Sequence, residues 1–172
     1  AINSAGLTNT SDPKVLTIDI NPPSYVTIEN VEFYNKSASS FQDITDKWYN
    51  TDKIRINWTG YDENSGIGGY SFSLDKDPGH SPDEIPEGED GKFEEKTNHT
   101  FNRLSSYNYT FKIIARDRAG NWMQYFNFTN IQIDNTPSSR PIIETEEFNA
   151  GDKSLSYEWS PAEDISGIVK YL

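Results

Sequence analysis

The chain has 172 residues, and 15 Lys plus Arg against 27 Asp plus Glu leave a net charge of −12, with a mean hydropathy of −0.77. Such acidity repels phosphates, no apolar run approaches the ~18 residues of a membrane helix, and zero cysteines exclude disulfides and thiol chemistry, so neither nucleic acid nor direct membrane insertion is a natural partner. With 34% hydrophobic and 13% aromatic residues a packed core is within reach, and at ~150 residues per domain the length holds one domain plus a remainder.

Internal repetition decides where the units begin. Ala1-Ile2-Asn3-Ser4-Ala5-Gly6-Leu7 and Leu16-Thr17-Ile18-Asp19-Ile20-Asn21-Pro22 return 114 to 115 residues later as Ala115-Arg116-Asp117-Arg118-Ala119-Gly120-Asn121 and Ile131-Gln132-Ile133-Asp134-Asn135-Thr136-Pro137. Residues 1–20 therefore read as the last strand region of a preceding repeat, and 21–137 as one complete unit.

Inside that unit the apolar residues recur with period two, as half-buried strands require. Ile54, Ile56 and Trp58 alternate with Lys53, Arg55 and Asn57, and Tyr70, Phe72 and Leu74 alternate with Ser71 and Ser73. Residues 75–95 follow, with nine acids and two lysines. This predicts a solvated insertion whose charge discourages edge pairing, a binding loop for a basic partner being the rival reading. Tyr109, Phe111, Ile113 and Ala115 alternate with Asn108, Thr110, Lys112 and Ile114. Phe126 and Phe128 share one phase and Ile131 and Ile133 the other, which predicts a bulge near Thr129 or Asn130.

After Pro137 the stretch from Trp58 to Tyr70 returns, offset by 101 throughout, from Trp159 to Tyr171. Residues 138–172 thus read as the early strands of a following repeat. The pattern as a whole predicts an all-β, antiparallel sandwich of about seven strands per ~100-residue unit.

The central unit resembles fibronectin type III-like and other immunoglobulin-like tandem repeats of bacterial and archaeal cell-surface or secreted proteins. The resemblance rests on Ile56-Asn57-Trp58 as a second strand, Ile67-Gly68-Gly69-Tyr70-Ser71-Phe72 as a third, and Leu104 ahead of Tyr109-Thr110-Phe111-Lys112-Ile113-Ile114-Ala115 as a sixth. Leu104 lies five residues before Tyr109, where the family pattern has six. The resemblance implies Trp58, Tyr70 and Tyr109 as structural core, with Tyr109 as a tyrosine-corner residue, and an extracellular or cell-surface location. It implies spacing, adhesion or display, with neighbouring immunoglobulin-like repeats of the same chain and a cell-surface protein or glycan as partners. It implies no chemistry, since one sandwich carries many functions.

In that frame the loop after the second strand (Asp62, Glu63), the loop before the last strand (Asp117) and the incoming linker (Asp19) lie at one end, where hard Ca²⁺ would relieve carboxylate repulsion. The competing reading is that Asp117 and Gly120-Asn121 shape a tight turn. Asp134 with Glu163 or Asp164 repeats the logic at the next junction. Six Asn-x-Ser/Thr triplets, at Asn9, Asn35, Asn57, Asn98, Asn108 and Asn127, are candidate glycan acceptors, against about three expected from composition. Trp48, Tyr49, Tyr61, Trp122 and Tyr125 are candidates for a sugar-stacking platform. Only His80 and His99 are available as bases near neutrality, with no nucleophile elbow, phosphate loop or zinc helix, so the expectation is a protein that is not an enzyme. Alternatives are a substrate- or carbohydrate-binding accessory module of a secreted hydrolase, and a filament subunit joined by strand complementation.

Overall fold

The computed structural model describes residues 4–6, 16–44, 47–85, 96–124, 127–151 and 153–171. Nine strands in three antiparallel sheets make up the secondary structure, and no helix occurs among the described residues. The strands are β1 (Tyr25–Asn35), β2 (Ser40–Asp43), β3 (Lys53–Tyr61), β4 (Ile67–Asp75), β5 (Asn98–Asn102), β6 (Tyr107–Asp117), β7 (Asn127–Ile133), β8 (Ile142–Asn149) and β9 (Ser154–Ser160). One sheet has the order β2-β1-β3-β5, a second β4-β6-β7, and among the described residues β8 and β9 form a third, two-stranded sheet.

Period-two patterning explains how the first two sheets share one core. Val26, Ile54, Ile56 and Trp58 from the four-stranded sheet and Tyr70, Tyr109, Phe111, Ile113, Ala115, Ile131 and Ile133 from the three-stranded sheet form a single buried cluster. Trp58 sits at its centre, its ring 5.8 Å from Tyr70 and 5.9 Å from Phe111. Such aromatic pairs add directional contacts to a large buried area. Tyr109 closes one end, its hydroxyl donating to Ser105 O at 3.2 Å and accepting from Ser105 N at 3.3 Å.

Two expectations are corrected. The β6–β7 ladder runs without a register shift from Tyr107↔Ile133 to Ile113↔Asn127, so there is no bulge near Thr129 or Asn130. Phe128 instead turns outward opposite Lys112, while Phe126 lies outside the described residues. The start of the acidic insertion is not a free loop. Buried Lys112, on the outer face of β6, donates to the carbonyls of Pro78 and His80, and buried Ser71 donates to Asp83. An ammonium withdrawn from water needs such acceptors, and they fasten the segment as a strap across the sheet. Residues 86–95 lie outside the described set. Of the segment 1–20, residues 16–20 belong to no strand, with Leu16, Ile18 and Ile20 exposed, and residues 1–3 and 7–15 lie outside the described set.

Candidate functional site

The end of the central unit that receives the incoming linker is held by aspartates acting as turn acceptors. Asp62 Oδ1 accepts from the amides of Asn64, Ser65 and Gly66 at 2.8 to 3.2 Å. Gly66 has φ 76°, a left-handed conformation that favours glycine. Asp117, 1% exposed, accepts from the amides of Gly120 (2.6 Å) and Asn121 (2.8 Å) through Oδ1. Arg118 N donates to Gly66 O at 3.0 Å and ties the two loops together. At Gly68, where β4 is bulged, a Cβ would lie 2.5 Å from Asp117 O, so only glycine lets the strands approach this closely.

The linker docks onto this pair of loops. Asp19 Oδ2 accepts from Ser65 N at 3.1 Å, while Asn121 Nδ2 donates to Asp117 Oδ2 (2.7 Å) and to the Asp19 carbonyl (3.2 Å). The Ser65 hydroxyl, with the amides of Asn21 and Ser65, holds the Asp19 carboxyl below its ordinary range. Asp19, Asp62 and Asp117 each bring a carboxylate oxygen to within 4.8 Å of the others, an oxygen set of the kind a hard cation uses. Glu63 departs from expectation: it is exposed and does not belong to that set. The amide donors already offset much of the mutual repulsion, so the turn-shaping role of Asp62 and Asp117 is complete in itself.

The second junction repeats the arrangement. Asp134, the counterpart of Asp19, is drawn down to about 2, first by the Ser166 hydroxyl, the counterpart of Ser65. Asp164 Oδ1 accepts from Ser166 N (2.9 Å) and Oγ (2.6 Å), and Gly167 has φ 89°. Asn135 fastens the linker to the central unit, its Nδ2 donating to Leu104 O at 2.7 Å and Thr51 O at 3.2 Å. Ser139 N donates to Glu163 O at 2.9 Å on the far side.

The remaining candidates separate. Asn57 Nδ2 is taken up by Asn30 and Glu32, and Asn35 Nδ2 by Gln42. Asn98 and Asn108 are exposed, whereas Asn9 and the side chain of Asn127 lie outside the described residues. The aromatic platform does not form as expected. Tyr49 is buried against Phe33, Trp48 and Trp122 are half-buried, and Tyr125 lies outside the described residues. Tyr61 is exposed and stacks on Tyr25 at 5.7 Å. His99 is enclosed by Phe72 and Phe101, and His80 pairs with Asp75 at 2.6 Å.

Comparisons with protein-family models and with curated proteins give no match. Among solved structures, the chain is similar to part of the extracellular domain of a protein described as a hybrid two-component system, BT3049 from B. thetaiotaomicron. The likeness covers 66% of this chain at 15% identity with a TM-score of 0.46. The chain spans 15% of the length of that domain.

Proposed function

We propose that the chain is a non-catalytic, extracellular segment of a tandem array of immunoglobulin-like units, acting as a spacer and as an adhesion or display element. The observation that carries this reading is the recurrence of the β1–β3 pair in β8–β9. Ile28 faces Trp58 and Glu29 is bulged out of the ladder; Ile143 faces Trp159 and Glu144 is bulged at the same place. Each extra glutamate accepts from the hydroxyl following the tryptophan, Thr59 at 2.5 Å and Ser160 respectively. The order β1-β3-β5 against β4-β6-β7 also fits the two-layer plan of such units. The extracellular placement and the neighbouring-repeat, cell-surface protein and glycan partners follow from the sequence resemblance.

The mechanism is geometric. Asp19 accepts from Ser65 N of the next loop, Ser139 N donates to Glu163 O at the second junction, and Pro22-Pro23 and Pro137 restrict the linkers, so that successive units keep one orientation. Small-angle scattering with residual dipolar couplings tests this. We expect one fixed orientation of β8–β9 to the central unit, lost in Asp134→Ala/Pro137→Gly; equal freedom in both proteins would overturn the reading. Calcium at Asp19, Asp62 and Asp117 would stiffen the first junction further, which a melting curve in calcium and again in chelator checks. A saturable change of tryptophan fluorescence with soluble polysaccharides would move the assignment to a carbohydrate-binding accessory module.

A further inference from the structure

The Asn-x-Ser/Thr triplets at Asn35, Asn57, Asn98 and Asn108 have their acceptor side chains among the described residues, and the fold treats them differently. Transfer of a sugar needs two groups in the open: the carboxamide nitrogen that takes it, and the hydroxyl two residues on that completes the triplet. At Asn57 both hydrogens of Nδ2 are taken, by Asn30 Oδ1 at 2.6 Å and Glu32 Oε2 at 2.9 Å, and the Thr59 hydroxyl donates to Glu29. Asn35 is held through both ends of its carboxamide: Nδ2 donates to Gln42 at 2.9 Å, and Oδ1 accepts from the amides of Ser37 and Ala38. Asn108 is exposed, but Thr110 is buried and its hydroxyl donates to Asn130 Oδ1 at 3.0 Å. Asn98 differs from all three. It is exposed at the first residue of β5, and among the described residues neither its carboxamide nor the hydroxyl of half-buried Thr100 is hydrogen-bonded.

We propose that Asn98 is the acceptor of an N-linked glycan among these four, and that the glycan shields the β5 edge. The co-reactant is a polyprenyl-pyrophosphate-linked oligosaccharide. Asn98 Nδ2 bonds to the anomeric carbon, the bond from that carbon to the pyrophosphate oxygen breaks, the lipid pyrophosphate leaves with the electron pair, and one Nδ2 proton passes to a base of the transferring enzyme. This rests on the extracellular reading, because such donors serve chains on their way out of the cell. Position gives the sugar its use. β5 ends the order β2-β1-β3-β5, so its far side presents backbone amides and carbonyls to any added strand. Asn98 lies across from Asn57, on the polar phase of β3 opposite to buried Ile56 and Trp58, so a bulky hydrophilic group fits there without entering the core.

The test secretes the full chain from cells that carry this donor and its transferase, and maps the glycopeptides of the folded, monomeric fraction by mass spectrometry. We expect Asn98 to be modified in most molecules, and Asn35, Asn57 and Asn108 in few. Asn98→Gln and Thr100→Val, which remove the acceptor and the hydroxyl separately, should each lose the glycan at this position. An unmodified Asn98 in the unaltered chain overturns the proposal, as does occupancy of Asn35, Asn57 or Asn108 equal to that of Asn98. Shielding is read from self-association under agitation, followed by light scattering. The glycosylated chain should associate severalfold more slowly than Asn98→Gln, and equal rates overturn the shielding role. The host supplies the compartment, so an empty Asn98 removes this proposal alone, while the orientation measurement judges the array reading independently.

Discussion

Trp58 and Trp159 each face an isoleucine, and each precedes a hydroxyl that bonds a bulged glutamate, yet the first is 1% exposed and the second 55%. The shared bulge, turn glycine and register show that this geometry is specified locally, within about thirty residues, by strand pattern and turn chemistry. Burial is specified elsewhere, by the opposing sheet β4-β6-β7 that packs on Trp58. A hairpin can thus hold its shape without a core, but a two-stranded ribbon alone gains little stability from doing so.

The sharpest way to break this comparison is to truncate both indoles. Trp58→Ala removes a side chain in ring contact with Tyr70, Phe72 and Phe111 and should cost about 3–5 kcal/mol in urea unfolding. Trp159→Ala should stay within about 0.5 kcal/mol, as at other exposed positions. Comparable costs would show that the two tryptophans do not differ in environment. Next in size is Tyr109→Phe, which deletes a hydroxyl bonded to the N, O and Oγ of Ser105 and leaves the ring in place. A loss of about 1 kcal/mol is expected in the central unit, with amide exchange of β8–β9 unchanged.

The period of the apolar residues made the strands and the shared core legible, because each of Ile54, Ile56, Trp58, Phe111 and Ile113 reports its own burial through its neighbours. Likewise Asp19, Asp62 and Asp117 were placed together by the order of the loops. Lys112 was not legible, since its period-two position faces outward and only a distant segment, residues 78–80, turns that face into an interior. The role of Ser65, and the bridging carboxamide of Asn121 beyond its place in the Asp117 turn, are not legible for a related reason. They act through amide and carboxamide hydrogen bonds across loops separated by tens of residues, and no residue type announces that. The spacings Asp19-to-Asp134 and Ser65-to-Ser166, read together, were the available signal.

A smaller effect distinguishes the two regions by pH. Burial among Phe72 and Phe101, and then the nearby charge of Lys96, hold His99 below its ordinary 6.5. The unfolded chain therefore binds the proton more readily than the native one. The stability linked to His99 is fully present above 6.5 and declines as pH falls below it. His99→Phe, which keeps an aromatic ring in the pocket, should flatten the stability profile through that window. Denaturation midpoints taken between neutrality and mild acid check this. A slope unchanged in the variant would assign the pH dependence to another group. His99 lies on β5, and among the described residues no strand beside β9 corresponds to it, so exchange of the hairpin amides should not respond.

The smallest expected effect lies at Asp19 and Asp134, where the two regions are most alike in sequence. Asp134 titrates near 2, first because of the Ser166 hydroxyl, and Asp19 is lowered first by the Ser65 hydroxyl. In both cases the folded carboxylate is favoured, so the contact contributes above the ordinary value of 3.8 and is lost as pH falls through the lowered one. Both groups are solvent-accessible, and screening limits the gain in stability, so the reporter is the carboxyl resonance and not the melting temperature. Ser166→Ala should raise Asp134 from about 2 toward 3.8 and leave Asp19 where it is; Ser65→Ala should do the converse. A carboxyl unmoved by loss of its own serine would show that its other donors, Thr136 N and Ser106 Oγ at one junction or Asn21 N at the other, set its charge. The two junctions would then be similar turns without being similar locks, and the linker prolines would be left to fix the orientation.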